Sequence, residues 1–428
     1  MPRIVVIGGG WAGCAGALAA KKAGADVILL ERADTLLGSG QVGGIMRNNG
    51  RFTAAEEMIA LGGGDLFKLT DKNARHVNIE FPGHSHANLY DVAHMEPLVR
   101  EHLQESGVEI WTVSRAAKVK KDDGKIEAIE LETGQTFEAD AFVEATGTMG
   151  PQGNCRKYGN GCAMCITRCP SFGGRVSIAQ QAGIQEMKGV RPDGSFGSMS
   201  GSCKLNKDSL EEGVHRQLDQ TGVAVIPLPK EVAEHKKKLL SIKSCQQYAL
   251  AAFAENVVLL DTGHAKLMTP FYPVIDLRKI PGLEHARFED PYAGGVGNSM
   301  RFLAMSPRDN HLKVEGIDNL FCAGEKAGLL VGHTEAICTG TLAGHNAVRY
   351  ALRKKLVELP RSLAVGDMIA HVREEMQTEE GMKKKFTFSG SVYFDRMKEL
   401  GLYTTDVAEI GRRVADAGVS GLFGKKVA

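Results

Sequence analysis

A glycine-rich turn near the N-terminus constrains the fold more than any other feature of the chain. A short apolar run precedes the turn, Gly8, Gly10 and Gly13 supply a GxGxxG pattern, and a stretch of good helix formers follows. Gly8 permits a tight turn, Gly10 lets a pyrophosphate approach the helix N-terminus, and Gly13 lets helix and strand pack closely. We therefore predict a βαβ unit that binds a dinucleotide.

An acidic residue follows at the distance that such a unit requires. Glu31 lies eighteen residues beyond Gly13, at the end of a second predicted strand. In that place its carboxylate can accept hydrogen bonds from a ribose diol. Arg32 follows directly, and we include it among the predicted cofactor-binding residues. The flanking strand, helix and acid together favour a real cofactor site over a glycine-rich turn without a ligand.

Two further glycine-bearing segments indicate FAD rather than a nicotinamide cofactor. Thr146 and Gly147 end one predicted strand, and Gly324 and Glu325 follow another, ahead of a helix predicted to begin near His333. Such a helix N-terminus can stabilise negative charge on a reduced flavin. No second GxGxxG lies between a strand and a helix, so we predict no separate nicotinamide-binding domain.

Three side chains are candidates for chemistry. His333 and Glu335, at the start of the predicted flavin-facing helix, can handle the proton that accompanies a flavin hydride. A simple helix-capping role for His333 is an equal alternative. Cys203 lies in a glycine- and serine-rich stretch and is a candidate exposed reactive thiol, although an incidental loop cysteine is the simpler interpretation. Arg47 and Asn48 are expected near the flavin ring or the pyrophosphate.

Four cysteines lie within fifteen positions, with a proline directly after the last: Cys155, Cys162, Cys165 and Cys169. Their spacing partly matches the cysteine runs of ferredoxins, so we predict a [4Fe-4S] cluster that relays electrons to or from the flavin. Structural zinc held by four thiolates stays open. A redox-active CxxC pair with two bystander cysteines stays open as well. An electron relay would also account for the missing nicotinamide domain.

Longer segments carry a family resemblance. Residues 279–290, 298–307 and 319–347, together with the N-terminal fingerprint, resemble the flavin-dependent tRNA uridine-modifying enzymes. That family comprises the glucose-inhibited division protein A group and the folate- and FAD-dependent tRNA methyltransferases. The resemblance implies a glutathione-reductase-like FAD domain. It also implies, for the methyltransferase branch, a cysteine soon after the first βαβ unit, but residues 43–57 contain none. We therefore expect the fold to carry over and tRNA modification not to.

Charge and hydropathy exclude some functions. The 428 residues include 52 basic and 51 acidic side chains, so the net charge of +1 creates no overall field for nucleic acid or membrane surfaces. No apolar run approaches the roughly 18 residues of a membrane span, and no targeting segment precedes the first strand. We expect a cytoplasmic protein without a membrane partner.

The chain is too long for a single core, so we predict an α/β architecture of several parts. These are a glutathione-reductase-like FAD-binding Rossmann domain over residues 1–150 and 311–354, an inserted α+β substrate domain with the cysteine cluster over residues 151–310, and a small C-terminal helical domain over residues 355–428.

The predicted function is an FAD-dependent oxidoreductase with a [4Fe-4S] relay and an unknown substrate. Its partner would be a small molecule or an electron carrier such as ferredoxin, and a homo-oligomer stays open. The alternative is a folate- and FAD-dependent RNA uridine-modifying methyltransferase in which the cysteines hold a structural metal. RNA binding is allowed but not required.

Overall fold

The computed structural model describes residues 1–148, 175–199, 202–237, 248–269, 272–289 and 300–427. The predicted metal ligands Cys155, Cys162, Cys165 and Cys169 lie outside the described residues. Fifteen helices of the described chain are α1 to α15: Trp11–Lys22, Gly40–Gly43, Gly50–Ala60, Asp65–Lys72, Met95–Glu105, Ile178–Gln181, Glu212–Thr221, Lys230–Lys237, Ala251–Glu255, Val274–Leu277, His333–Ala351, Ala364–Glu375, Glu379–Met382, Ser391–Glu399 and Val407–Asp416.

Nineteen strands accompany these helices in the described residues. They are β1 to β19: Arg3–Ile7, Asp26–Leu30, Ile45–Arg47, Ala74–Phe81, His84–Tyr90, Glu109–Trp111, Ala116–Asp122, Lys125–Leu131, Thr136–Glu138, Ala141–Glu144, Met187–Lys188, Ser198–Met199, Cys203–Leu205, Val223–Pro227, Asn256–Asp261, Ala265–Leu267, Met300–Arg301, Ala304–Met305 and Leu320–Cys322.

A five-stranded parallel sheet in the order β19-β10-β1-β2-β6 forms the centre of the molecule. Val5 of β1 pairs with Ile28 of β2 on one side and with Phe142 of β10 on the other. The apolar run of β1 is buried, as expected for a parallel strand covered on both faces. In the sheet, β1 lies between β2 and β10, so the chain runs to one side of β1 first and later to the other side. A crevice opens at the carboxyl edge of the sheet where the strand order reverses in this way.

Helices α1 and α11 cover this sheet and contact each other backbone to backbone. A Cβ atom on Gly340 of α11 would lie 2.1 Å from the carbonyl oxygen of Ala12 in α1. One turn later, a Cβ on Gly344 would lie 2.0 Å from the carbonyl oxygen of Gly16. Only glycine allows two helices to approach this closely, so these positions set the spacing between the two helices that end at the crevice.

Replacing Gly340 with alanine is expected to lower the free energy of unfolding by about 3 kcal/mol, because a rigid backbone carbonyl occupies the space of the new methyl group. Gly411 is a matched control in α15, where a Cβ would meet no atom within 4 Å. Gly411→Ala should stabilise the protein by about 0.5–1 kcal/mol through helix propensity. Urea denaturation measures both changes. A Gly340→Ala protein as stable as the wild type would contradict the close helix contact.

The inserted region contains a four-stranded antiparallel sheet in the order β13-β16-β15-β14. Its apolar residues form a core that is separate from that of the parallel sheet. Cys203 begins β13 and is fully buried in this second core. The prediction of an exposed reactive thiol in a loop is therefore wrong, because strand pairing with Leu267 turns the side chain inward.

Helices α12 and α15 pack against α3, and α13 packs against α12. Buried Glu57 of α3 accepts hydrogen bonds from the N–H groups of Ala364 (2.8 Å) and Val365 (2.9 Å) at the first turn of α12. Burial raises the pKa of Glu57 to about 7, although these bonds oppose the effect. The predicted α/β fold, with an inserted sheet and C-terminal helices, is confirmed. No helix in the described ranges is long and apolar enough to cross a membrane.

Candidate functional site

The glycine turn after β1 has a fixed carboxylate beside it. Glu31, at the end of β2, accepts a hydrogen bond from the N–H of Gly9 at 2.7 Å and another from the N–H of Ala33 at 2.9 Å. Burial raises the pKa of Glu31, and the two backbone bonds act against this shift. Each carboxylate oxygen keeps a further lone pair, so a ribose diol can still bind there. Arg32 follows at a half-buried position.

The N-terminus of α1 points into open space. Gly10 precedes the helix, makes no side-chain cap, and no acidic residue lies in the first turn. A Cβ on Gly10 would meet no atom within 4 Å, whereas one on Gly13 would lie 1.8 Å from the carbonyl oxygen of Gly8. Free helix N–H groups beside open space are suited to bind a pyrophosphate.

Two other strand ends meet at the same edge. A Cβ on Gly8 would lie 2.4 Å from the carbonyl oxygen of Ala145, directly after β10. Gly147 has a φ of +68° and borders open space. Gly324 follows β19, has a φ of +63°, and donates its N–H to the hydroxyl of Thr339 in α11 at 2.9 Å. The three predicted glycine segments are therefore together, with Thr146 and Glu325 beside them.

A buried network of four charges supports these strand ends. Lys326 and Glu144 are fully buried, and Glu186 and Arg175 nearly so. The Lys326 ammonium lies 3.2 Å from Glu144 and also pairs with Glu186, while Arg175 lies 2.6 Å from Glu186. Burial acts to raise the pKa of Glu186, but Lys326 and Arg175 lower it to about 2.

Sequence reasoning missed this network, although two of its members stand next to predicted site residues. Glu144 precedes the Thr146 segment by two positions, and Lys326 directly follows Glu325. Arg175 also donates to the carbonyl oxygen of Gly147 at 3.0 Å. Gly147 and Arg175, which stand on either side of residues 149–174 in the sequence, are therefore in contact.

The N-terminus of α11 carries both predicted proton-handling residues, but the structure gives them different surroundings. His333 is half-buried beside Tyr90, whose hydroxyl lies 3.2 Å from Nδ1 of the imidazole. Glu335 is buried and pairs with Arg51 of α3, with Nε–Oε1 at 3.1 Å. The Glu335 carboxylate also accepts from the hydroxyl of Thr387 at 2.7 Å. Glu335 thus joins α3, α11 and the C-terminal segment.

Arg47 and Asn48 are both buried, and the partners described here lie outside the glycine turns. Arg47 is buried, pairs with Glu56, and places Nη2 2.6 Å from Asp71. Asn48 is buried and its amide nitrogen lies 2.9 Å from Nδ1 of His84. Their predicted contact with a cofactor stays a prediction.

In the described parts of the chain, no three His, Cys, Asp or Glu side chains are arranged to hold a metal ion. The predicted ligands Cys155, Cys162, Cys165 and Cys169 are outside those parts, so this finding does not concern them.

Comparison with known proteins identifies the family. A family model described as "Glucose inhibited division protein A" matches residues 3–225 and 274–355, which is more than half of the chain. The chain belongs to this family. Both matched segments contribute strands to the parallel sheet, so the match to the glucose-inhibited division protein A family includes the elements that meet at the crevice.

Solved structures agree on the fold of this division protein A family member. Aquifex aeolicus GidA, in the form II crystal, superimposes with a TM-score of 0.65 at 16% identity, over 97% of this chain and 76% of that one. The form I crystal gives a TM-score of 0.61 at 16% identity, over 97% and 78%.

Sequence similarity to curated relatives is confined to part of each protein. The tRNA-(uracil-5-)-methyltransferase TrmFO of Ruegeria sp. (strain TM1040) is 31% identical over 111 residues, covering 26% of this chain and 24% of the relative. The tRNA uridine 5-carboxymethylaminomethyl modification enzyme MnmG of Chlorobaculum tepidum is 30% identical over 138 residues, covering 32% and 21%. The chain thus matches about a quarter or less of the length of these relatives.

The residues at the crevice fit FAD. Glu31 is oriented for a ribose, and the uncapped N-terminus of α1 borders open space for a pyrophosphate. Gly332 provides no side-chain cap for α11, whose first turn carries Glu335 paired with Arg51. Two helix N-termini at one edge of the sheet stabilise negative charge at two separate points. A dinucleotide with a distant redox ring has this distribution of charge.

Proposed function

We propose that this chain is an FAD-dependent oxidoreductase. The observation that carries the proposal is the meeting of three glycine-bearing strand ends and two uncapped helix N-termini at one edge of the parallel sheet. The proposed organisation is the FAD-binding part over residues 1–150 and 311–354, the substrate-facing insertion between them, and the C-terminal helices from residue 355.

When bound, FAD would supply two-electron chemistry at its isoalloxazine ring. Glu31 would hold the adenosine ribose, and the N–H groups at the start of α1 would hold the pyrophosphate. Gly324 and Glu325 would line the middle of the cofactor. His333 would hold or release a proton at the N-terminus of α11, where the helix dipole favours negative charge on a neighbouring ring.

Glu31→Ala is expected to weaken FAD binding about 10- to 100-fold, because it removes hydrogen bonds to a charged acceptor. Quenching of flavin fluorescence during titration of the apoprotein with FAD measures the dissociation constant. Glu101→Ala, at an exposed position of α5, is the control and should bind FAD as the wild type does. A wild-type protein that fails to bind FAD, or a Glu31→Ala protein that binds it normally, contradicts the proposal.

We further propose that Cys155, Cys162, Cys165 and Cys169 hold a [4Fe-4S] cluster that exchanges electrons with the flavin. Their spacing and the proline after Cys169 support a cluster. The hydrogen bond from Arg175 to Gly147 supports its nearness to FAD, because the segment between these two residues begins and ends at the cofactor edge.

Protein purified without oxygen is expected to contain about four iron atoms and four sulfides per chain. Serine at both Cys162 and Cys165 should remove them and leave FAD binding intact. The substitution Cys338→Ser, at a buried core position, is the control for thiol loss elsewhere. Stoichiometric zinc with no iron would instead indicate a structural site.

A second candidate function is folate- and FAD-dependent methylation of uridine in RNA, with the cysteines in a structural role. The match to TrmFO proteins favours it. The absence of a cysteine in residues 43–57 speaks against it. Incubating the protein with unmodified tRNA, methylenetetrahydrofolate and a reductant, followed by nucleoside mass spectrometry, decides the question. Formation of 5-methyluridine would make this the primary function.

A further inference from the structure

The imidazole of His333 has a fixed position at the start of α11. Its ring centroid lies 6.1 Å from that of Trp11 and 6.3 Å from that of Tyr90. On another side is the backbone of Gly43, where a Cβ would come 1.7 Å from Cε1 of the imidazole. Aromatic rings and backbone thus hold the plane of the imidazole ring.

The hydroxyl of Tyr90 has a single proton and two groups within reach that could accept it. Its oxygen lies 2.7 Å from the carbonyl oxygen of Gly40 and 3.2 Å from Nδ1 of His333. A carbonyl oxygen can only accept, and the shorter contact is to the carbonyl, so the hydroxyl donates to Gly40. The hydroxyl oxygen then faces Nδ1 with a lone pair. Nδ1 must therefore be the donor in this contact.

We propose that Tyr90 is a positioning residue that holds neutral His333 with its proton on Nδ1, so that Nε2 is the nitrogen that takes up and releases a proton. The inference rests on the proposed flavoenzyme function, since it assigns the direction of proton transfer at the N-terminus of α11. Burial raises the pKa of Tyr90, so the phenol keeps the proton that it donates to Gly40.

The carbonyl that directs Tyr90 is itself held in place. Gly40 begins the short helix α2, and the main chain just after that helix pairs with Tyr90, whose N–H donates to Gly44 at 2.9 Å. The hydroxyl of Thr334 donates to the carbonyl oxygen of Met46 at 2.8 Å. Lys266 of the inserted sheet donates to Val42 at 2.7 Å. These contacts come from three different elements, so the acceptor for Tyr90 does not depend on the cofactor.

Nitrogen NMR of ¹⁵N-histidine-labelled protein tests the tautomer directly. The signals of His333, one of thirteen histidines, are assigned by their loss in His333→Gln. In the wild type, with and without FAD, we expect a single neutral tautomer with the proton on Nδ1. In Tyr90→Phe we expect a shift towards the Nε2–H tautomer that free histidine prefers. Tyr350→Phe, at the opposite end of α11, should give the wild-type spectrum.

A rate measurement tests the role in proton transfer. A quinone serves as probe acceptor: it takes a hydride from the reduced cofactor and a proton from the protein, and becomes a hydroquinone. Oxidation of the reduced cofactor should slow about tenfold in Tyr90→Phe and about 100-fold in His333→Gln, with FAD content unchanged.

Three results would overturn the inference: a wild-type proton on Nε2, an unchanged tautomer in Tyr90→Phe, or an unchanged rate in that variant. Failure of the wild type to bind FAD would defeat the proposed flavoenzyme function instead. The tautomer in the cofactor-free protein would still decide whether Tyr90 orients His333.

Discussion

Replacing Lys326 with methionine is expected to lower the free energy of unfolding by about 3–5 kcal/mol, because it leaves buried carboxylates without their central cation. Methionine keeps most of the length and volume of the lysine side chain, so the effect is electrostatic rather than a cavity. Glu186 would keep its ion pair with Arg175, whereas Glu144 would lose its ion pair with Lys326. Urea denaturation at pH 7 measures the loss.

This loss should depend on pH in a definite direction. The pKa of Glu186 is lowered from 4.5 to about 2, so the stability that its carboxylate contributes is fully present above pH 4.5 and is lost as the pH falls towards 2. The difference in free energy of unfolding between Lys326→Met and the wild type should therefore become smaller below pH 4.5. A difference that stays constant at acidic pH would contradict the proposed charge network.

Lys279 provides the matched control for this substitution. Its ammonium lies 2.8 Å from Asp276, but both side chains are more than half exposed. Lys279→Met should change the free energy of unfolding by less than about 0.5 kcal/mol. Comparable losses in the two variants would mean that burial does not decide the effect.

A second loss of about 3–5 kcal/mol is expected for Arg51→Met, because Glu335 would remain buried without a cation. The effect should also be local. The N–H of Phe388 donates to Glu335 at 2.8 Å, and the hydroxyl of Thr387 accepts from Arg51 and donates to Glu335. Loosening of this contact should raise the hydrogen-exchange rate of the Phe388 amide, as measured by NMR or mass spectrometry.

Arg216→Met is the control for Arg51→Met. Arg216 pairs with Glu212 within α7, and both side chains are exposed. A change below about 0.5 kcal/mol is expected, without faster exchange at Phe388. If Arg51→Met leaves both stability and exchange at the wild-type values, Glu335 does not hold the C-terminal segment.

The cofactor edge could be predicted because its determinants are local. Gly8 needs a positive φ of +102°, and Gly13 must lie against the Gly8 carbonyl, which are steric requirements within one turn. The apolar run of β1 and the helix formers of α1 act over similarly short distances. Glu31 follows at a spacing that the βαβ unit imposes.

Cys203 shows where local reasoning failed. The glycines and serines before it favour a loop, but pairing of β13 with β16 places the thiol in a core. Tyr90 was missed for a related reason, because its partner His333 lies 243 positions away. Nothing near Tyr90 in the sequence marks it as part of a site.

The sequence by itself determined the glycine turns, the acid after β2 and the family resemblance, since each depends on residues close together in the chain. Only the tertiary structure decided which charges are buried together. Lys326 meets Glu186 across 140 positions and Arg51 meets Glu335 across 284. A lysine or glutamate in a sequence is most often solvated, and it becomes a buried ion pair only when packing removes water from both partners at once.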